Sequence, residues 1–519
     1  MSRLSELESA DEVKHPHVEV PARTRFLWGL GGFADATITY GTGSLVNVIY
    51  VNALHINAAL VNLACAIPRF MDFVTDPLVG HLSDNTRSRW GRRRPWMFAG
   101  LVVSAVLGLL LWHPPLSHAG AAPAGFWPLL AYGAKNPTFW YLAGMMSLLY
   151  AVGYALFSIP HAAMGYEMTT DYNERTHLFK WRFIAFAAAG FATPWFLPLC
   201  MWLEGPRAQE LKGSQGVITV SLIVGALILL SGLPSVFFVK EKVAEHKGEA
   251  KVGFLSAVRL TLGNKPFWLL VVSNFITKFG MSITGIFFVY IFLYHITHGE
   301  QKVGSAYLAV FFNAINVSNL LAMAPVATLS DRIGKRTCLL AMLAMSGVAY
   351  ASLWFTFTNT PGSFLHLALP WGGPGNTLSL QWPCLITAVL IGVFTNTMPM
   401  IKNSMLADVC DLDELTSGHR REAFYGAVFV TTDKIAMAVS LAFQGVLLVT
   451  SGFDAKLDAQ SAHTVRYWLL ALVITQPLGF LVGIVSILFY PLSRSRAVQI
   501  RQELDARAAL HDAGKGPAT

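Results

Sequence analysis

Charge is what this chain has least of: Asp, Glu, Lys and Arg make up 13% of 519 residues, while 54% are hydrophobic. An average soluble domain carries about 25% charged residues, so a water-soluble globule is excluded. Cysteine is scarce too. Cys65, Cys200, Cys338, Cys384 and Cys410 lie far apart, without the short spacings of metal sites, and read as packing in or beside apolar segments. There is no glycine-rich phosphate loop and no nucleophile with a base at hand, so neither catalysis nor coupling to ATP has support. The chain is expected not to be an enzyme and to need no cofactor. The first 24 residues are polar, of mixed charge and without an apolar h-region, so no cleaved signal is expected. The short alternating segments of a β-barrel are missing as well.

What the chain does have is long apolar runs. About 20 apolar residues cross a bilayer as helix, and twelve runs qualify, numbered helices 1 to 12: 26–53, 58–82, 95–113, 138–164, 179–203, 217–239, 266–295, 304–329, 337–357, 384–407, 423–450 and 466–490. The fold class is therefore an all-α integral membrane protein. A net charge of +8 invites a nucleic-acid reading until the charges are placed. With the N-terminus inside, most Lys and Arg residues fall on cytoplasmic connections, which is the positive-inside rule. Both termini are expected in the cytoplasm, with membrane lipids as surroundings and no nucleic-acid partner.

The longest cytoplasmic connection, "VKEKVAEHKGEAKVG" from Val239, divides the helices six and six. The expected order is a cytoplasmic tail (1–24), a six-helix bundle (25–240), a linker (241–264), a second six-helix bundle (265–490) and a cytoplasmic tail (491–519). The halves echo each other. "GHLSDNTRSRWGRRRP" after helix 2 matches "ATLSDRIGKRT" after helix 8, and long external loops fall between helices 3 and 4 and between helices 9 and 10. Repeats of this kind mark transporters whose two bundles rock about a central site. The Leu-Ser-Asp-plus-arginine loops resemble the signature of the major facilitator superfamily. An acid at a helix end facing a basic loop can latch one conformation; Asp84 with Arg92, and Asp331 with Arg332 and Lys335, are the expected latch groups.

The stretch "RFMDFVTDPLVGHLSD" puts Arg69, Asp72 and Asp76 inside helix 2, where each charge costs about 2.5–3.5 kcal/mol at the bilayer centre. Their i, i+3 and i+7 spacing places all three on one face, which must look inward. Two carboxylates one turn apart repel unless a cation or a proton sits between them. Sodium would take their oxygens with help from Thr75; alternatively burial would let a carboxylate carry a proton. The face reads as a coupling-ion site for Na+ or H+, with no further metal. Lys434 in helix 11, beside Asp433, and Lys278 in helix 7 read as buried lysines. Lys278 lies thirteen residues from Lys265, about 20 Å along the helix. Asp35 in helix 1, Arg182 in helix 5, and Asn313, Asn316 and Asn319 in helix 8 add polar positions, as do Asn396 and Thr397 in helix 10.

Together "RFMDFVTDPLVG", "TRSRWGRRRPW", "IPHAAMGYEMTTDYNERTHL" and "ADVCDLDELTSGHRREAFYGA" resemble the motifs of the glycoside–pentoside–hexuronide:cation symporters, the melibiose permease family. The resemblance covers about residues 25–490. It implies sugar uptake driven by sodium or proton, in a bacterial cytoplasmic membrane, by a carrier expected to work as a monomer. By position it implies Asp72 and Asp76 as cation-site carboxylates, with Arg69 and Lys434 in their charge network, and Asp35, Arg182 and Lys434 near the sugar. Ser158, Lys278 and Asn396 join the candidate substrate-binding set. The family's sugar-binding aspartate and stacking tryptophan of helix 4 are replaced by Ser158 and Ala162, and two of its neutral sodium ligands by Ala155 and Thr75. Sodium-dependent lysophospholipid symporters share the helix 2 acids and the helix 11 lysine, so import of an amphiphile is the alternative to import of a saccharide.

Overall fold

The computed structural model describes residues 20–115, 126–169, 172–205, 207–211, 214–241, 263–357, 364–368, 377–418 and 422–514. Ten helices are long and apolar enough to cross a membrane: Ala58–Asn85, Pro137–Met168, His177–Glu204, Gln215–Phe237, Lys265–Ile296, Gln301–Ile333, Lys335–Thr356, Trp382–Ser417, Phe424–Thr450 and Ala462–Leu488. They are helices 2, 4 to 8 and 9 to 12 of the sequence. The remaining two expected runs are helical in a different manner. Helix 3, Arg94–Leu110, is 17 residues long. Helix 1 is assembled from Ala22–Gly29, Gly31–Ala36 and Gly43–Asn47, with wider π turns at Thr37–Gly41 and Val48–Ala53.

Helix 1 approaches its neighbours in a way that matters to the site. Its "LWGLGGFADA" segment runs so close to helices 4 and 5 that a Cβ on Gly31 would meet His161 Nε2 at 2.3 Å, and one on Gly32 would meet the Arg182 carbonyl at 2.3 Å. Glycine is the residue that permits such backbone approach. Helix starts are set by side-chain caps: Asn57 accepts from the Ala59 N–H, Asn264 from that of Phe267 and Ser461 from that of Thr464.

Within the N half, helix 3 packs on helices 4 and 6; within the C half, helix 12 packs on helices 7 and 9. The halves meet where helix 11 lies along helix 2 and helix 8 along helix 5. Polar contacts tie them at the end carrying the helix 1–2 turn. Asn52 donates to the Tyr294 hydroxyl and accepts from that of Tyr290, each at 3.1 Å; Arg207 pairs with Asp458 at 3.3 Å, and Gln209 donates to the Ala455 carbonyl. A Cβ on Gly445 would meet the Ala58 carbonyl at 2.3 Å, so the seam there is close.

Two connections hold more order than their loop reading. Phe364–Ala368 and Thr377–Gln381, between helices 9 and 10, form an antiparallel hairpin with Phe364 opposite Gln381. Arg494–Gly514, read as a tail, is a helix, anchored where Arg507 donates to the Leu415 carbonyl at 2.8 Å. Most of the expected linker and the first 19 residues lie outside the described residues.

Candidate functional site

Helix 2 supplies the centre. Pro68 and Pro77 interrupt its hydrogen-bond ladder on either side of the charges. Arg69 and Asp72 are buried, 3.7 Å apart, and the guanidinium lies 4.3 Å from the Tyr150 ring centroid, a cation–π seat that the sequence did not announce. From across the interface Lys434 reaches both acids: its ammonium is 3.6 Å from Asp72 and in direct ion contact with Asp76. Asp72 keeps one buried oxygen, Oδ1, with no hydrogen-bond partner among the described residues. Thr75 shares this neighbourhood, but its hydroxyl donates to the Met71 carbonyl of its own helix at 3.2 Å. Two positive and two negative groups therefore balance.

The polar group of helices 1, 4 and 5 is separate. Arg182 donates to Asp35 at 2.7 Å, a pairing made possible by the glycine-lined approach of helix 1. Asp35 is buried, as is Ser158 on helix 4, and the Tyr154 hydroxyl lies beside Asp35, Ser158 and Thr39. Tyr40, one turn further, is half-exposed and meets Phe186 edge to face. His161 is sandwiched between Trp28 and Phe157, with centroids 4.9 and 5.2 Å away.

In the C half the sequence reading needs correcting. Lys278 is exposed rather than buried, and it faces Asp433 and Lys402 through electrostatics alone. The buried lysine is Lys402, 3% exposed, which the sequence reading passed over because it sits inside the apolar run of helix 10. Its ammonium donates to Thr277 Oγ1 at 2.6 Å and to Asn274 Oδ1 at 3.4 Å, and Asn274 Nδ2 donates to Asp433 at 2.8 Å. Asn396 stands apart: its side chain makes no hydrogen bond among the described residues, and its backbone N–H donates to Ile391. Asn316 donates to the Gly190 carbonyl of helix 5, a tie between halves rather than a wall of this site. A cavity of about 500 Å³ lined by Tyr294, His295, Gln460 and Arg466 opens at the helix 1–2 end, away from these charges.

The expected latches are also rearranged. Arg93, not Arg92, pairs with Asp84, at 2.7 Å, and it reaches Glu167 of helix 4 at 2.7 Å as well; Arg92 turns to Glu167. The Glu241 carboxylate accepts the backbone N–H groups of Arg92, Arg93 and Arg94 at 2.8–3.0 Å, which caps the start of helix 3. In the C half Lys335 pairs with Asp408 at 2.6 Å, while Asp331 and Arg332 are exposed and Arg332 offers its carbonyl to Arg494. The contacts thus join a basic residue at the start of helix 3 or 9 to an acid near the end of helix 4 or 10, inside each half.

Residues 27–494 match the family described as MFS/sugar transport protein. The chain belongs to this family. Like other MFS/sugar transport proteins it is a multi-pass membrane transporter of two six-helix bundles, and not an enzyme. An isoprimeverose transporter of Lactiplantibacillus pentosus is 23% identical over 92% of this chain and 90% of its own length. A sodium-dependent lysophosphatidylcholine symporter of Danio rerio is 24% identical over 93% and 89%. A bacterial homologue of the human lysosomal transporter Spinster, solved in an inward-facing, unoccupied conformation, superposes with a TM-score of 0.58 at 15% identity, covering 93% of this chain and 96% of that one; at that identity the likeness concerns the fold.

Proposed function

We propose that this protein is a cation-coupled symporter that imports a saccharide or glycoside by alternating access, with both termini in the cytoplasm. The observation that carries the reading is Lys434 from the C half lying against Asp72 and Asp76 of the N half. With Arg69, the four charges sum to zero. A sodium ion or proton arriving at the acids leaves an excess positive charge unless Lys434 withdraws, so loading and the inter-half tie exclude each other. Withdrawal frees helix 11 to move relative to helix 2 and presents an ammonium to the space between the halves. By linkage, whatever the substrate gains from cation binding the cation gains from substrate.

The sense of the conformation agrees with this scheme. The ties at Asn52, Arg207 and Gln209 lie at the end that the positive-inside distribution assigns to the outside, so the described state is closed outward. At the other end Arg93 and Lys335 are paired within their own halves, which leaves the bundles free to part there.

A sugar gradient built in vesicles by an imposed sodium or proton gradient tests the reading. Saccharide accumulation supports it; equilibration without accumulation, under either gradient, refutes coupling. A second reading, import of a lysophospholipid or another amphiphile, draws on the Danio rerio relative and on Ser158 and Ala162, which leave helix 4 without a sugar-type acid or ring. Competition by lysolipid but not by sugars would favour it.

A further inference from the structure

Asp433 is the acid that the coupling scheme does not use. Successive helical residues point about 100° apart, so while Lys434 reaches helix 2, Asp433 turns to helix 7. Its Oδ1 accepts from Asn274 Nδ2 at 2.8 Å, and the oxygen of that same amide accepts from the Lys402 ammonium. An amide with an ammonium at its oxygen and a carboxylate at its nitrogen has one stable orientation. Lys402, held by Thr277 Oγ1 at 2.6 Å, fixes Asn274, and Asn274 fixes Asp433.

That leaves an oriented acceptor. A carboxylate offers about four lone-pair sites, and Asp433 uses one; its second oxygen has no hydrogen-bond donor among the described residues, and the side chain is half-buried rather than sealed. It also lies within electrostatic reach of Tyr40, an exposed residue of helix 1 in the N half. The other candidate acids on that space stand in direct ion pairs, Asp35 with Arg182 and Asp72 and Asp76 with Lys434, whereas Asp433 meets Lys278 and Lys402 only through space. Helix 4 offers the Ser158 and Tyr154 hydroxyls there.

We infer that Asp433 accepts hydroxyl hydrogen bonds from the transported saccharide, with Asn274 and Lys402 as positioning residues. The inference rests on the saccharide reading and supplies, from the C half, the acid that helix 4 lacks. A hydroxyl donating to a carboxylate makes a charge-assisted bond, and a site built for a hydroxyl rejects the analogue that lacks it.

The test uses the full-length protein in detergent. Thermal shifts against xylose, glucose, galactose, their methyl glycosides, melibiose, cellobiose and maltose select a stabilising sugar. Calorimetric titration then compares that sugar and its monodeoxy analogues on the wild type, Asp433→Asn and Lys402→Met. The expected result is about 10-fold or greater weakening in Asp433→Asn. One deoxy analogue that binds the wild type poorly should bind Asp433→Asn no worse than the parent sugar does. Lys402→Met should weaken binding less and blunt discrimination against the same analogue, which a merely structural lysine would not do. Unchanged affinity and deoxy profile in Asp433→Asn overturn the inference and leave the saccharide reading standing. If no sugar binds the wild type, the saccharide reading falls and the inference with it. Should Asp433→Asn fail to fold, the Lys402→Met profile decides: altered discrimination supports the inference, and an unaltered profile overturns it.

Discussion

Asp72 and Asp76 on helix 2 and Asp433 on helix 11 belong to facing walls, yet their charges are balanced in different ways. The helix 2 acids are answered by Lys434 from the opposite half, in ion contact. Asp433 is answered within its own half, by Lys402 through an amide and by Lys278 through space, without a direct ion contact. A balance that spans the gap must break when the halves part. A balance inside one half survives the movement. The first arrangement suits a coupling device, and the second suits a fixed point of recognition.

Removing one acid of the spanning pair should have the largest effect. Asp72→Asn leaves Arg69 and Lys434 over-supplied with positive charge; gradient-driven accumulation in vesicles should fall to background while the protein remains folded. Accumulation equal to wild type would erase the contrast between the walls. Lys434→Met should come next. It leaves Asp76 without its partner and Asp72 with Arg69 alone, a loss part of which a bound cation restores. Cation-induced thermal stabilisation should therefore appear at lower sodium or proton concentration than in the wild type, with accumulation lost. A higher required concentration would mean that the lysine assists the ion rather than competing with it.

Smaller effects belong to the ends of the molecule. Asn52→Ala deletes two hydrogen bonds of the outer clasp, each contributing about 1 kcal/mol, and should shift the population toward outward opening by roughly tenfold or more. A cysteine placed at Ala58 would report this as faster thiol labelling from outside; an unchanged rate would show the clasp to be incidental. Glu241→Ala should do least. Loss of a helix cap costs about 1 kcal/mol, a melting point lower by about one degree in a chain of this length, with the accumulation ratio intact.

The parts of this account that were legible in the sequence are those written in periodicity. Twelve apolar runs and the shared face of Arg69, Asp72 and Asp76 follow from helical spacing alone. What escaped depends on which way a side chain turns. Arg92, Arg93 and Arg94 are consecutive, and spacing alone does not say which of them meets Asp84, as Arg93 does. Lys402 hid inside a run averaged as apolar; a single lysine with no acid at i±3 or i±4 could have been flagged on the ground that it needs partners from other helices. Lys278 was misplaced because sequence depth along a helix does not tell which face meets water. Asp35 and Arg182 read as separate polar positions, although the glycines of helix 1 were the sign of the close approach that pairs them.

The central claim is that a cation displaces Lys434 from helix 2, and the most direct measurement of it is the distance between spin labels on helices 2 and 11, without substrate, as sodium or proton concentration rises. The account predicts that the two helices separate in the wild type and are insensitive to the ion in Asp72→Asn. An ion-independent distance in the wild type, in a protein that still accumulates its substrate, would contradict it.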